Sequence, residues 1–117
     1  MKQTNLNNRP IEITKEIITH YIENSEFNLN STHNRLCIPI INRIYKKMKR
    51  KIIFNSSKVY QDLVIDGHHR YVSSILAGIE VEQLKTLKTS ATESFNWNDV
   101  EFVEEEWDTK EKIDYLN

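Results

Sequence analysis

The chain has only two glycines, Gly67 and Gly78, and both fall in one segment: Val64-Ile65-Asp66-Gly67-His68-His69-Arg70-Tyr71-Val72-Ser73-Ser74-Ile75-Leu76-Ala77-Gly78. Glycine adopts the left-handed backbone that other residues avoid, so this chain has few places for a tight left-handed turn. An apolar run enters the first glycine, and Val72, Ile75, Leu76 and Ile79 follow at helical spacing. Gly78 suits the left-handed residue that closes a helix. The segment therefore reads as strand, glycine turn and short helix, with two histidines and an arginine where the helix begins. A helix N-terminus presents unpaired N–H groups and partial positive charge, which favours a bound phosphate.

Each residue of the turn has a chemical and a structural reading. Arg70 lies in the first helical turn, where a guanidinium either forks onto phosphate oxygens or pairs with an acid. His68 and His69 are adjacent and so diverge around the helix; one is expected to face the site and the other to be structural or on the surface. The field at a helix start disfavours imidazolium, leaving a neutral ring suited to acid–base work. Asp66 ends the apolar run, where it is expected to hold Mg²⁺, to act as a base, or to cap the helix. Zinc needs three or four ligands, and His20 and His33 lie in unrelated segments, so the pair is not expected to bind it.

Composition bounds the class. At 117 residues, with 38% apolar and 28% charged side chains, the chain suits one globular domain rather than a disordered segment. No apolar run approaches the ~20 residues of a membrane span, and the first residues lack a secretory apolar core. The lone Cys37 excludes an internal disulfide and lacks an activating neighbour, so a cytoplasmic protein without a reactive thiol is expected. The net charge of −1 hides a segregation. Arg43, Lys46, Lys47, Lys49, Arg50 and Lys51 crowd together, while Asp99, Glu101, Glu104, Glu105, Glu106, Asp108, Glu111 and Asp114 make the tail acidic. Such clusters read either as solvated faces set against each other or as surfaces for nucleic acid and for a basic protein partner respectively.

Along the chain, residues 1–9 read as a loose polar arm and 10–117 as a single α+β domain. Pro10–Ile13 reads as a short strand and Thr14 as the cap of a helix reaching about Asn24. A loop over 24–34 follows. Pro39 opens a helix whose Ile41, Ile44, Tyr45 and Met48 are buried and whose basic residues are exposed. Ile52–Phe54 and Gln61–Ile65 read as strands around a turn at Asn55–Lys58. The stretch 80–87 is ambiguous between strand and helix, and 88–98 reads as a loop. Val100 and Phe102 suggest a half-wet strand, and Asp108 with Glu111 suggests a capping box for a last helix. Trp97 and Trp107 read as packing aromatics.

Asp66-Gly67-His68-His69-Arg70, with its Ala77-Gly78 helix end, resembles the turn of the ParB/sulfiredoxin-like superfamily. The resemblance covers roughly residues 38–84, with 40–48 as the preceding helix and 51–55 and 59–65 as the strands before the turn. It implies a small mixed sheet with flanking helices, and a phosphate-binding turn at Gly67, His68, His69 and Arg70. It also implies ATP or CTP as ligand, with Mg²⁺ held at Asp66 and phosphoryl transfer or hydrolysis as the reaction. Sulfiredoxins carry their catalytic cysteine where this chain has His68, which excludes their repair chemistry. ParB-type segregation proteins commonly read Gly-Glu-Arg-Arg and carry a second, DNA-binding domain; neither is present in these residues. The free-serine-kinase branch, with Asp-Gly-x-His-Arg, is matched at the turn, its base being Glu12 or a tail acid. Some relatives are nucleases. That implies an alternative in which His68 and His69 act on a phosphodiester while Arg43, Lys46, Lys47 and Arg50 track nucleic acid, as in a toxin or effector domain. A non-catalytic interaction module is the third expectation.

Overall fold

The computed structural model describes residues 10–116, so the arm expected over 1–9 lies outside the described residues. Thr14 caps the first helix, α1 (Lys15–Glu23), by accepting the Ile17 N–H at 3.3 Å. The residues before it form no strand. Instead Asn42 clamps Ile13, accepting its N–H and donating to its carbonyl, both at 2.8 Å. A strand would have needed a pairing edge; the Asn42 amide supplies both partners in its place.

Strand β1 (Arg35–Cys37) runs directly into helix α2 (Ile38–Lys49), with Pro39 in its first turn. Ile41, Ile44, Tyr45 and Met48 are buried, as their spacing requires. Beyond α2, Ile52–Phe54 forms no strand: the chain turns through Lys51 at φ 68°, and Ile53 is 94% exposed. An apolar β-branched run becomes a strand only where an edge is there to pair with it. The hairpin lies further on, β2 (Ser57–Tyr60) and β3 (Leu63–Asp66), joined through Gln61 at φ 51°. Gly67 leads into helix α3 (His68–Ala77), and Gly78 closes it. Strand β4 (Gln83–Lys85), exposed throughout, resolves the ambiguous stretch.

A 3-10 turn at Trp97–Asp99 buries the Trp97 ring against Phe27, Tyr71 and Phe102. Strand β5 (Glu101–Val103) and helix α4 (Lys110–Leu116) follow. Thr109, not Asp108, supplies the side chain at the start of α4, accepting the Lys112 N–H at 3.3 Å, because Asp108 is engaged by Arg43.

The strands make a mixed arrangement. β2 pairs antiparallel with β3 and parallel with β4, and β1 pairs parallel with β5. Single bridges from Asn30 to Leu63 and from Ser31 to Phe95 tie the segment before β1 to both halves. The result is a small α+β fold with helices packed on a mixed sheet. Ile18, Leu36, Ile41, Val64 and Val72 are its fully buried aliphatic residues. Ser73 lets α3 lie close on α2 by donating to the Ile41 carbonyl at 3.0 Å. Among the described residues no helix is long and apolar enough to cross a membrane.

Candidate functional site

Gly67 has φ 81° and ψ 35°, the left-handed conformation that its position in the turn demands. A Cβ here would stand 2.6 Å from Arg70 Nη2 and 2.9 Å from Ser57 Oγ, so the absence of a side chain also makes room for the guanidinium. Arg70 folds back over the glycine and donates from Nη2 to the Ser56 carbonyl at 3.0 Å. It meets no acid. Its Nε is buried without a hydrogen-bond partner. Ser57 Oγ donates to the Gly67 carbonyl at 3.0 Å, which ties β2 to the turn.

Asp66 is exposed, and its Oδ1 accepts the Gly67 N–H at 2.9 Å. This is the neighbouring amide rather than a helix N–H, and no side chain caps α3. The helix start is therefore left open.

Both histidines line the same cleft; neither lies on the surface, and His68, one of the two expected to be site-facing or else structural or on the surface, is almost fully buried. The fold achieves this by bringing backbone to each ring. The Thr32 N–H donates to His68 Nε2 at 3.1 Å, and the Cys37 N–H donates to His69 Nε2 at 3.0 Å. A nitrogen that accepts from an amide carries no proton, so each neutral ring holds its hydrogen on Nδ1. Burial, with His33 and His69 nearby, pushes the His68 pKa down to about 3; burial, with His33, pushes that of His69 down to about 4. Both rings are neutral N–H donors at ordinary pH. The Nδ1 of His68, a residue only 2% exposed, makes no hydrogen bond of good geometry among the described residues, although the nearby Val64 backbone favours the protonated ring.

The cleft has a volume of about 200 Å³ and is lined by His33, Ile40, Ile44 and the Asp66–Arg70 turn. His33, assigned by spacing to an unrelated segment, lies face-on over His68, with ring centroids 3.8 Å apart. Its placement follows from the single bridges at Asn30 and Ser31, which carry the 30–37 segment across the turn. Thr32 is fixed there as well, its hydroxyl donating to the Val64 carbonyl at 2.7 Å. Neither residue carries a local sequence signal; only long-range pairing places them. His20 stays remote, on α1. Trp107 stands edge-on to His69 at 5.7 Å and is 43% exposed.

The basic stretch is not the uniformly exposed face that its spacing implied. Arg43 is largely buried and forks onto Glu106, with a further bond to Asp108 at 3.0 Å. Lys46 pairs with Glu12 at 2.9 Å. Lys47 and Arg50 make no ion pair among the described residues. The two charge clusters thus partly neutralise each other, and Glu12, Glu106 and Asp108 are engaged as ion-pair partners. Cys37 is buried, and its thiol donates to the Glu105 carbonyl at 3.2 Å; burial pushes its pKa up. Among the described residues no group of three or more His, Cys, Asp or Glu is arranged around a metal position.

No family model matches the chain, and comparison with curated proteins and with solved structures gives no match.

Proposed function

We propose that the protein binds a nucleoside triphosphate, ATP or CTP, at the Gly67–Arg70 turn and catalyses phosphoryl transfer or hydrolysis as a ParB/sulfiredoxin-like domain. One observation carries this reading: the cleft offers donors that have no acceptor. The buried Nδ1 of His68 and Nε of Arg70 sit beside an uncapped helix start, and donors without partners in a small cleft call for an anion.

In this role Gly67 makes room for the guanidinium of Arg70, which supplies the permanent charge. His68 and His69 act as neutral N–H donors to charge developing on the phosphoryl oxygens, since their Nε2 lone pairs are already taken. They are therefore not the bases of the reaction. Among the described residues Asp66 is the one carboxylate lining the cleft, and a single hard oxygen ligand beside phosphate suits Mg²⁺, which retains several waters. Bound there, Mg²⁺ would neutralise phosphate charge. We place this chemistry in the cytoplasm, where an unpaired thiol such as Cys37 persists.

The test is a titration of ATP, CTP and GTP with Mg²⁺ against wild type and Arg70→Ala. Saturable binding that weakens at least about tenfold in the variant is expected from loss of a charge-assisted fork. Unchanged affinity in Arg70→Ala would remove Arg70 from the site.

A nuclease reading draws on Lys47, which lies one helical turn beyond the cleft residue Ile44 and makes no ion pair among the described residues. It loses Arg43 and Lys46 to their acidic partners, and histidines held at Nε2 are poor bases. Steep weakening of RNA or DNA binding with salt, with a slope that falls by about one in Lys47→Ala, would favour it.

A further inference from the structure

We propose that this site recognises a terminal phosphate and does not read the nucleobase: its ligands are phosphoanhydrides as a class, with the nucleoside left outside. The inference rests on the phosphate-site reading and narrows it.

Size is the first constraint on the ligand. Clefts that enclose most of a drug-sized ligand run from ~300 Å³ upward. This one measures about 200 Å³. It takes a phosphate group or two, and leaves no room to surround a base and ribose as well.

The second is chemistry. Reading a base needs both donors and acceptors converging on its edges, because selectivity comes from buried polar groups left unpaired by the wrong partner. At the cleft the buried side-chain polar atoms without partners are donors alone, His68 Nδ1 and Arg70 Nε, and the acceptor side chain in its lining, Asp66, is the one assigned to Mg²⁺. The acceptor side of each histidine is already closed by the Thr32 or Cys37 amide. The lining also includes Ile40 and Ile44, whose side chains offer no hydrogen bond. An oxyanion with several lone pairs satisfies such a set; a purine or pyrimidine edge does not.

The third is the rim. His33 is exposed and already has one face on His68. Its outer face would stack on any base alike, since every base has a π-face and stacking is tolerant of sequence. The rim adds affinity without choice.

The decisive experiment titrates ATP, CTP, GTP and inorganic tripolyphosphate, each with Mg²⁺, into the full chain by calorimetry. The three nucleotides are expected to bind within about threefold of one another and tripolyphosphate within about tenfold, differences of the order of RT or a few RT. Binding of all four should fall together in Arg70→Ala, and part-way in Arg70→Lys, which keeps the charge and loses the fork. One nucleotide binding more than about tenfold tighter than the other two overturns base-independence while leaving the phosphate site intact. Nucleotides that bind while tripolyphosphate does not overturn the terminal-phosphate anchor. Failure of all four to bind wild type overturns both this inference and the reading beneath it.

Discussion

The Thr32 amide donates to Nε2 of His68 at 3.1 Å and thereby decides where the proton of that buried imidazole sits. The same device recurs at Cys37 and His69. Two adjacent histidines are held as donors by two amides from one distant segment, so their chemistry is set by the fold rather than by the solvent.

Acid should weaken the fold through these rings. Their folded pKa values, about 3 and about 4, lie below the ordinary 6.5, so the unfolded chain binds more protons and stability rises with pH. The contribution is complete above the unfolded value and is lost as pH falls from about 6.5 toward the folded values. Each ring adds a slope of up to about 1.4 kcal/mol per pH unit in that window. Urea unfolding between pH 7 and 5, above the range where carboxylates protonate, should show the decline. The double variant His68→Gln/His69→Gln should flatten it, and a wild-type curve without slope there would contradict the buried, neutral assignment.

The two glycines should respond differently to alanine. Both have positive φ, and a left-handed alanine costs on the order of 1–2 kcal/mol. At Gly78 the new methyl meets nothing within 4 Å, so that cost is the whole effect. At Gly67 it meets the Arg70 guanidinium and the Ser57 hydroxyl, so Gly67→Ala should lose more stability and displace Arg70. Parallel melts, with phosphate titrations of each variant, separate the two; equal losses would show that Arg70 yields freely.

Arg43→Ala should destabilise the protein by about 1–2 kcal/mol, since it strands Glu106 and Asp108, both partly shielded from water. Arg43 also holds the Glu106 carboxyl below its usual pKa. That part of the stability is present above the unfolded carboxylate pKa and is lost as pH falls through the lowered folded value. A double-mutant cycle with Glu106→Ala, run at pH 7 and again in acid, should give a coupling that shrinks in acid.

Cys37 should resist thiol reagents in the native state. Its buried thiol is held against the Glu105 carbonyl and its pKa is raised, so little thiolate is available. Labelling at pH 8 should proceed at the rate of global or local opening and speed up sharply in denaturant. Native labelling at the rate of a free cysteine would mean that β1 opens far more readily than its packing indicates.

The turn was legible because it is local: a strand, a left-handed glycine, a helix and its closing glycine leave their marks within fifteen consecutive residues. Helices α1 and α2 were legible through Thr14, Pro39 and their apolar spacing. β1 was not, because three residues before a proline-bearing helix carry no alternation. Ile52–Phe54 looked more strand-like than Ser57–Tyr60, yet pairing geometry favoured the latter. At the site, Thr32 and His33 were hidden in a polar loop, since what places them is a pair of bridges to Leu63 and Phe95. Arg43 looked exposed because its position off the apolar stripe says nothing of Glu106 arriving from the far end of the described chain.

The parallel pairing of β1 with β5 bears on the order of assembly. Arg35, Leu36 and Cys37 align with Glu101, Phe102 and Val103, residues synthesised long after them. Distant pairings are the slow ones, since a large loop must close before any contact repays it. A growing chain can form the Gly67 turn from neighbours alone, but the Cys37 amide that fixes His69 rides on a strand whose ladder partner, among the described residues, arrives late. The proposed phosphate site is therefore coupled to completion: a nascent chain that already displays Asp66–Arg70 lacks a settled His69 until β5 has docked.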